Sequence, residues 1–381
     1  MKIELMIVSR NLAHMWGKIL RHLWRCHNFQ AGADGSMLVA IIHAIRSRRG
    51  QRVQRNIPDR SDPLYFSDGD LIKRYRFPRS SIIGLATSME NELKHRTMRS
   101  NALSPVSQVC VALNYYATGA LFGNLQSAFN VSKPTISRVI HRVSAVLTNR
   151  LCEEVFIPSP ANIDRNCQAF FDIAHFPNVL GCIDGSHVRI KPPSEDEFIN
   201  VNRKGYHSIN MQCICDPYLC FIDVVVRYPG SSADSFIFNQ CGMKNRLDSN
   251  VFEGKVLLGD SAYALRTYML TPFMNPQTQS ECNYNCAHRK TRVTIERAFG
   301  VLKSRFLCLS HKLSGPILFS PKRACAVISA CIYLHNKARR LNLHVDEEIF
   351  SDDQQLPHAV NDDVDPSGWS ARAYVVRHYF S

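Results

Sequence analysis

Hydrophobic and polar positions divide the chain into a helical part and a part that begins with strands. Between Leu71 and Leu151 apolar residues recur at helical spacing, which predicts one helix around residues 82–93 and another around residues 106–116. From Phe176 onward, apolar runs of strand length take over. The predicted strands and helices of this part are, in order, strands at 178–190, 207–216 and 219–230, a helix at 232–241, a strand at 255–263, and helices at 287–306 and 321–340.

This order of elements predicts the fold class. The first three strands are joined by short links, which suit antiparallel pairing, whereas the fourth strand follows a helix and suits parallel pairing. We therefore expect an α/β fold in which a mixed sheet, with three antiparallel strands and then parallel additions, is flanked by helices and preceded by an all-helical region.

The segment NLQSAFNVSKPTISRVIHRVSAVL (residues 124–147) predicts two helices joined by a tight turn. Ser132 suits the N-cap of the second helix, whose apolar face leaves Arg138 and Arg142 on the opposite side. Spacing alone fits a DNA-binding helix-turn-helix and a plain helical hairpin with a charged solvent face equally well.

The distribution of charge favours DNA contact. The formal net charge is +14, with 22 Lys+Arg against 10 Asp+Glu in residues 1–160 and 24 against 22 in residues 161–381. A basic chain of this kind suits a polyanionic partner, and the excess places its contact surface mostly in the N-terminal part. The cluster SRRGQRVQR (residues 47–55) fits both a solvated flexible arm and a segment that contacts phosphate or directs nuclear import.

The 14 cysteines are scattered through the chain without a compact framework, which indicates a reducing compartment, the cytosol or nucleus. No apolar run approaches the length of about 18–20 residues that spans a bilayer. Residues 1–25 lack the ordered regions of a targeting peptide, so we predict an ordinary extension there.

Four acidic residues lie in similar settings, and two of them directly follow apolar strands, where open mixed sheets place their ligand crevices. Asp184 falls within the first predicted strand, Asp234 begins the helix after the third, Asp260 ends the fourth, and Glu296 lies at the edge of an apolar helical stripe. Singly, each has an ordinary explanation: a turn before glycine, a helix cap or a solvated acid. Together they predict an oxygen-rich site for a hard divalent cation, Mg²⁺ or Mn²⁺.

A second basic feature is the loop that contains Arg203 and Lys204 beside Gly205. It fits a contact with DNA phosphate and a solvated loop equally well.

Several longer motifs carry a resemblance to a known family. They occur in the family's order and are RSDPLYFSDGDLIKRYRF (60–77), LSPVSQVCVALNYYATG (103–119), VSKPTISRVIHRV (131–143), GCIDGSHVRI (181–190), NRKGYHSIN (202–210), PGSSADS (229–235), LLGDSAY (257–263), IERAFGVLKSRF (295–306) and LHN (334–336). From about Met37 to the C-terminus the chain resembles the PIF/Harbinger-type transposases, and closely resembles their domesticated, transposase-derived nuclease relatives.

The resemblance implies a helix-turn-helix region followed by a ribonuclease H-like domain with a DDE metal site. Carried over motif by motif, Asp184, Asp260 and Glu296 are the catalytic acids, and Asp234 is a fourth metal-site candidate. It implies divalent-metal-dependent cleavage of DNA, with strand transfer in active transposases. It also implies a Myb-like DNA-binding partner and a location in the nucleus, with the cytoplasm as a further location.

The sequence departs from the family pattern at two motifs. Gln126 and Ser127 replace a common Gly-Asp before the recognition helix, and Ala262 replaces a glycine in GDSAY. Neither change removes a metal ligand, so we expect a metal-dependent DNA endonuclease of the DDE type. The alternative is a domesticated, catalytically idle factor that binds DNA or protein.

The predicted organisation has five parts. They are a basic extension (1–60), a helical region with the helix-turn-helix (61–152), a linker (153–175), the nuclease domain (176–344) and an acidic C-terminal tail (345–381). Residues 1–36 match no motif of the family.

Overall fold

The computed structural model describes residues 60–94, 102–310, 314–343 and 365–381. All of them belong to the unit Asp59–Ser381. The predictions for the basic extension and its SRRGQRVQR cluster lie outside these residues, as do those for most of the acidic segment before residue 365.

Helices fill the described chain before the sheet, as the spacing of apolar residues predicts. They are α1 (Asp68–Tyr75), α2 (Arg79–Ser88), α3 (Glu90–Leu93), α4 (Pro105–Thr118), α5 (Phe122–Phe129), α6 (Lys133–Asn149), α7 (Leu151–Glu154) and α8 (Pro160–Ala174). The single helix predicted around residues 82–93 is two helices, because the chain leaves helical geometry at Met89. The segment predicted as a linker contains the 15-residue helix α8, which packs on the sheet.

The turn between α5 and α6 has the tight geometry that its sequence predicts. Asn130 ends α5 in the left-handed region with φ 52°, a conformation that asparagine tolerates. Ser132 occupies the N-cap position of α6, but its hydroxyl lies 3.0 Å from Thr135 Oγ1 instead of accepting a helix N–H. The buried face of α6 packs on α4 and on the helix Pro321–Arg340.

The mixed sheet has five strands in the order β3-β2-β1-β4-β5. They are β1 (Val179–Arg189), β2 (Ser208–Cys215), β3 (Phe221–Pro229), β4 (Val256–Leu258) and β5 (Met269–Leu270). β1 pairs antiparallel with β2 and β2 with β3, whereas β4 is parallel to β1 and β5 to β4. The predicted α/β class and strand directions are therefore confirmed, and the arrangement is consistent with a ribonuclease H-like fold.

The remaining helices surround this sheet. They are α9 (Asp234–Asn239), α10 (Gly242–Asp248), α11 (Gln279–Arg305), α12 (Pro321–Arg340) and α13 (Pro366–Tyr379). α11 begins eight residues before its predicted start because Thr278 and Glu281 form a capping box there. The end of the segment predicted as an acidic tail is helix α13, which packs on α11 and β5.

Helix α11 positions the site because it lies across the central strand β1. Ile295 and Phe299 are buried on its sheet side, and the ring of Phe299 packs on Phe221 with the two centroids 5.8 Å apart. The Cys182 thiol of β1 donates to the Thr291 carbonyl at 3.4 Å. Every cysteine in the described residues is a free thiol, and none of the described helices has both the length and the apolar character to cross a bilayer.

The LHN motif fixes the outer strand β3 to α12. The fully buried His335 donates from Nε2 to the Leu219 carbonyl at 2.8 Å, and burial lowers the pKa of this histidine to about 3. Asn336 binds both the N–H and the carbonyl of Phe221, at 2.9 and 2.7 Å, and also donates to the Glu154 carbonyl at 2.8 Å. These backbone groups lie at the start of a sheet edge, where Asn336 supplies the hydrogen bonds of a neighbouring strand.

We predict that Asn336→Ala lowers the free energy of unfolding by about 2–4 kcal/mol, because it leaves buried backbone groups without their hydrogen bonds. Urea denaturation measures this change. Asn149→Ala, at an exposed helical position, is the control and should change stability by less than about 0.5 kcal/mol. Equal effects of the two substitutions would contradict the role given to Asn336.

Candidate active site

Asp184 lies in the middle of the central strand, not at a turn. Its neighbour across the antiparallel pair is Cys213 of β2, and only 2% of its surface is exposed. Its Oδ1 accepts the N–H of Gly185 at 2.8 Å, and its Oδ2 accepts from Arg292 at 3.0 Å. A charged carboxylate is stable at this depth only with such partners.

Arg292 joins Asp184 to Glu296. The two residues of α11 are one helical turn apart, and the second terminal nitrogen of Arg292 donates to Glu296 Oε1. The guanidinium therefore bridges a buried acid of the strand and an acid of the helix whose side chain is 45% exposed. Burial opposes the charge of Arg292, but Asp184 and Glu296 outweigh it and raise the pKa of the guanidinium.

Asp260 follows β4, the parallel neighbour of β1. It is 7% exposed, and its Oδ1 accepts the N–H of Ala262 at 3.0 Å. Its negative charge acts on both members of the ion pair, since it raises the pKa of Asp184 and adds to the raised pKa of Arg292. The short β4 thus brings a second buried aspartate within electrostatic range of the first.

Asp234, the first residue of α9, approaches the same strand. Its Oδ1 accepts from Asn210 Nδ2 at 2.8 Å. The close neighbour on β1 is Gly185, where a Cβ atom would lie 2.3 Å from that oxygen. The strand therefore requires glycine next to Asp184, because any side chain there would displace the Asp234 carboxylate.

Tyr263 and Gln212 complete the buried polar network. Gln212 Nε2 donates to the Asp234 carbonyl at 2.8 Å and to the Tyr263 hydroxyl at 3.0 Å. Burial raises the pKa of Tyr263 well above its usual value, and the charges of Asp234, Asp184 and Asp260 raise it further. The tyrosine hydroxyl thus stays protonated among the three aspartates.

Burial and neighbouring acids both act on the protonation of Asp184. Burial raises the pKa of Asp184 from 3.8 to about 7, and the like charges of Asp260 and Asp234 add to this, whereas Arg292 opposes it. The neighbouring carboxylates therefore oppose the ionisation of Asp184, and Arg292 favours it. Oxygen ligands of this kind fit a hard divalent cation in their chemistry.

The side chains of the site are nevertheless arranged around an arginine and not around a metal position. Among residues 60–94, 102–310, 314–343 and 365–381, no three histidine, cysteine, aspartate or glutamate side chains are grouped as they would be around a metal ion. Arg292 contacts oxygens of two predicted ligands, Asp184 and Glu296. The structure therefore brings the four predicted acids to one region, and their assignment as metal ligands stays a prediction.

The four predicted DNA-contacting residues differ in their surroundings. Arg138 is exposed on α6 and donates to Thr135 Oγ1 at 3.2 Å. Arg142 is partly buried and donates to the carbonyls of Glu92 and of Lys94, the latter at 3.1 Å, so it caps the end of α3. Arg203 and Lys204 lie exposed in the turn before β2.

Sequence reasoning missed Arg292, Asn210 and Gln212. The spacing of Arg292, one turn before Glu296, is the signal that could have identified the first. For the other two, the signal is the alternation of polar residues in the strand SINMQCIC (208–215), where Asn210 and Gln212 are both buried. Tyr263 lies inside a recognised motif, but its place in the network depends on the fold.

Comparison with known proteins indicates the family to which the chain is similar. Residues 183–336 match a family described as DDE superfamily endonuclease. The chain is 35% identical to "Putative nuclease HARBI1" of Homo sapiens and 34% identical to the Bos taurus protein of that name, in each case over 271 residues, which are 71% of this chain and 77% of the relative. It is 24% identical to "Protein ALP1-like" of Arabidopsis thaliana, over 72% of this chain and 71% of the relative. No solved structure matches the chain.

We predict that Asp184 makes stability depend on pH in a specific direction. Because its folded-state pKa is raised to about 7, from an ordinary value of 3.8, the folded protein holds a proton that the unfolded chain releases. This contribution favours folding below about pH 4 and is lost as the pH rises to about 7. The stability of the wild type relative to Asp184→Asn should therefore fall between pH 4 and 7, as measured by urea denaturation without added metal.

Asp172→Asn, at an exposed position, is the control and should show no such trend. A wild-type stability that rises relative to Asp184→Asn over this pH range would contradict the raised pKa.

Proposed function

Because the chain belongs to the family of HARBI1-like, transposase-derived nucleases of the DDE superfamily, we propose that it is a metal-dependent DNA endonuclease that hydrolyses phosphodiester bonds. One observation carries the proposal. Asp184 of β1 and Glu296 of α11, far apart in sequence, share one guanidinium, and the charges of Asp234 and Asp260 act on the same aspartate.

In this proposal the four acids hold the cation. Mg²⁺ or Mn²⁺ would polarise the scissile phosphate and lower the pKa of a nucleophilic water. Asp184 and Asp260 would bind it from the sheet, Glu296 would complete the site from α11, and Asp234 would support it from α9. Glu296 is half exposed, which supports an opening of the proposed site toward the solvent face of α11.

Other residues fix these acids in place. Asn210 holds the Asp234 carboxylate, and Gln212 ties the backbone of the same aspartate to Tyr263. Lys303 is buried and donates from Nζ to Ser186 Oγ at 2.8 Å, so it connects α11 to the same strand two residues beyond Asp184. The Lys303 contact thus ties the helix that carries Glu296 to the strand that carries Asp184.

The helical region is proposed to bind the DNA. The turn between α5 and α6, the exposed Arg138 and the net charge of residues 1–160 support a helix-turn-helix reading. Arg203 and Lys204 are proposed as further phosphate contacts. The same proposal includes three features that depend on the family resemblance alone. They are a Myb-like DNA-binding partner, a location in the nucleus and also in the cytoplasm, and strand transfer.

A second candidate function is a catalytically idle factor that binds DNA or protein. The observation that favours it is the ion pair itself, since Arg292 pairs with two of the proposed ligands without a metal. Retained DNA binding together with no detectable Mn²⁺ binding would select this function over the nuclease.

We predict that the wild-type chain nicks duplex DNA in the presence of Mg²⁺ or Mn²⁺ and not in excess chelator. Asp184→Asn, Asp260→Asn and Glu296→Gln should each lower the nicking rate at least about a hundredfold, because each removes a charged ligand from the transition-state environment. A supercoiled-plasmid assay measures the rate.

Glu253→Gln, an exposed acid outside the site, is the matched control and should retain the wild-type rate. DNA affinity measured for the same variants separates lost chemistry from lost binding. Wild-type rates in all three site variants would contradict the assignment.

We also predict that Arg138→Ala weakens binding to all duplex sequences alike and lowers the slope of log affinity against log salt by about one, because one phosphate contact is lost. Fluorescence anisotropy over a salt series measures both quantities. Arg246→Ala, which removes an exposed arginine from α10, is the control. An unchanged slope in Arg138→Ala would contradict the phosphate contact.

A further inference from the structure

Arg292 contacts two of the acids that are proposed to bind the metal. Its two terminal nitrogens contact Asp184 Oδ2 and Glu296 Oε1, and only 14% of its side-chain surface is exposed. It thus binds one oxygen from each side of the site, from the sheet and from the helix. The proposed function requires the same two carboxylates as ligands of a divalent cation.

Electrostatic repulsion prevents the guanidinium of Arg292 and a divalent cation from contacting the same carboxylate oxygens together. The other oxygen of Asp184 accepts from the Gly185 N–H, so the oxygen directed at α11 is the one that Arg292 contacts. Two positive charges this close together in a partly buried site repel each other strongly. Binding of a divalent cation between Asp184 and Glu296 therefore disfavours the contact of the Arg292 guanidinium with both acids.

The contact also has a function when no metal is bound. Asp184 is almost fully buried, and Asp234 and Asp260 add negative charge near it. An ionised acid buried in such surroundings is strongly destabilising without a counter-charge. Arg292 supplies this charge from a neighbouring element and holds α11 against β1 at the level of the site.

We propose that Arg292 is an internal counter-ion that competes with the divalent cation: it pairs with Asp184 and Glu296 until the cation binds, and binding requires its guanidinium to leave at least one of them. This inference rests on the proposed function, because it assumes that these acids bind metal. Arg292 is then a positioning residue that sets the affinity of the site. Glu296 is half exposed, so the released guanidinium has a path toward the solvent face of α11.

The test is the affinity of the full-length protein for Mn²⁺, measured by calorimetry without DNA. Arg292→Gln removes the charge and keeps a polar side chain. This variant should bind Mn²⁺ at least about tenfold more tightly than the wild type. Arg289→Gln is the matched control, because it removes the same charge from an exposed position one turn earlier on the same helix. The control should change the affinity by less than about threefold.

A second variant covers the case in which Arg292→Gln does not fold. Arg292→Lys keeps the charge but cannot form the two-pronged contact, so its Mn²⁺ affinity should fall between those of the wild type and the neutral variant. Thermal unfolding gives an independent readout. In chelator, Arg292→Gln should unfold at a lower temperature than Arg289→Gln, and Mn²⁺ should raise its unfolding temperature by more than it raises that of the wild type.

The outcomes separate this inference from the proposed function. Mn²⁺ binding that Asp184→Asn abolishes, but that Arg292→Gln and Arg292→Lys leave unchanged or weaken, overturns the competition and leaves the metal site intact. No Mn²⁺ binding by any of the proteins contradicts the metal site, and the competition fails with it.

Discussion

The ion pair between Asp184 and Arg292 is the interaction on which the site depends. It connects the central strand β1 to the long helix α11 at a point where the strand carries a buried charge. Burial alone would make that charge unstable, so the helix must present a cation at this level of the sheet. The same contact brings Glu296 to the site, because Glu296 is one helical turn from Arg292 and shares its guanidinium.

The sheet order explains why further acids collect around Asp184. In the order β3-β2-β1-β4-β5, the central strand has an antiparallel neighbour on one side and a parallel neighbour on the other. The parallel neighbour β4 delivers Asp260 just beyond its end, and the antiparallel neighbour β2 supplies the buried amides that hold Asp234. Carboxylates thus collect around Asp184, and a divalent cation would offset their mutual repulsion.

Much of this arrangement could be predicted from the sequence, because strands and amphipathic helices have clear periods. The strand directions followed from the lengths of the connections, and the four acids were recognisable beside apolar runs and within family motifs. Arg292 was missed although it lies one turn before Glu296, because a basic residue on a long helix resembles a solvated charge until the helix is placed on the strand. The two-residue strand β5 is too short to show a repeating pattern of apolar residues. Helix α13 was missed because it follows an acidic segment, which led us to predict a tail there.

Anomalous X-ray diffraction from crystals of the full-length protein grown with Mn²⁺ tests the account most directly. We expect an anomalous peak in contact with the carboxylates of Asp184 and Asp260, with the guanidinium of Arg292 moved away from at least one of Asp184 and Glu296. At saturating Mn²⁺, the absence of a peak at these acids, with Arg292 still bridging Asp184 and Glu296, would contradict it.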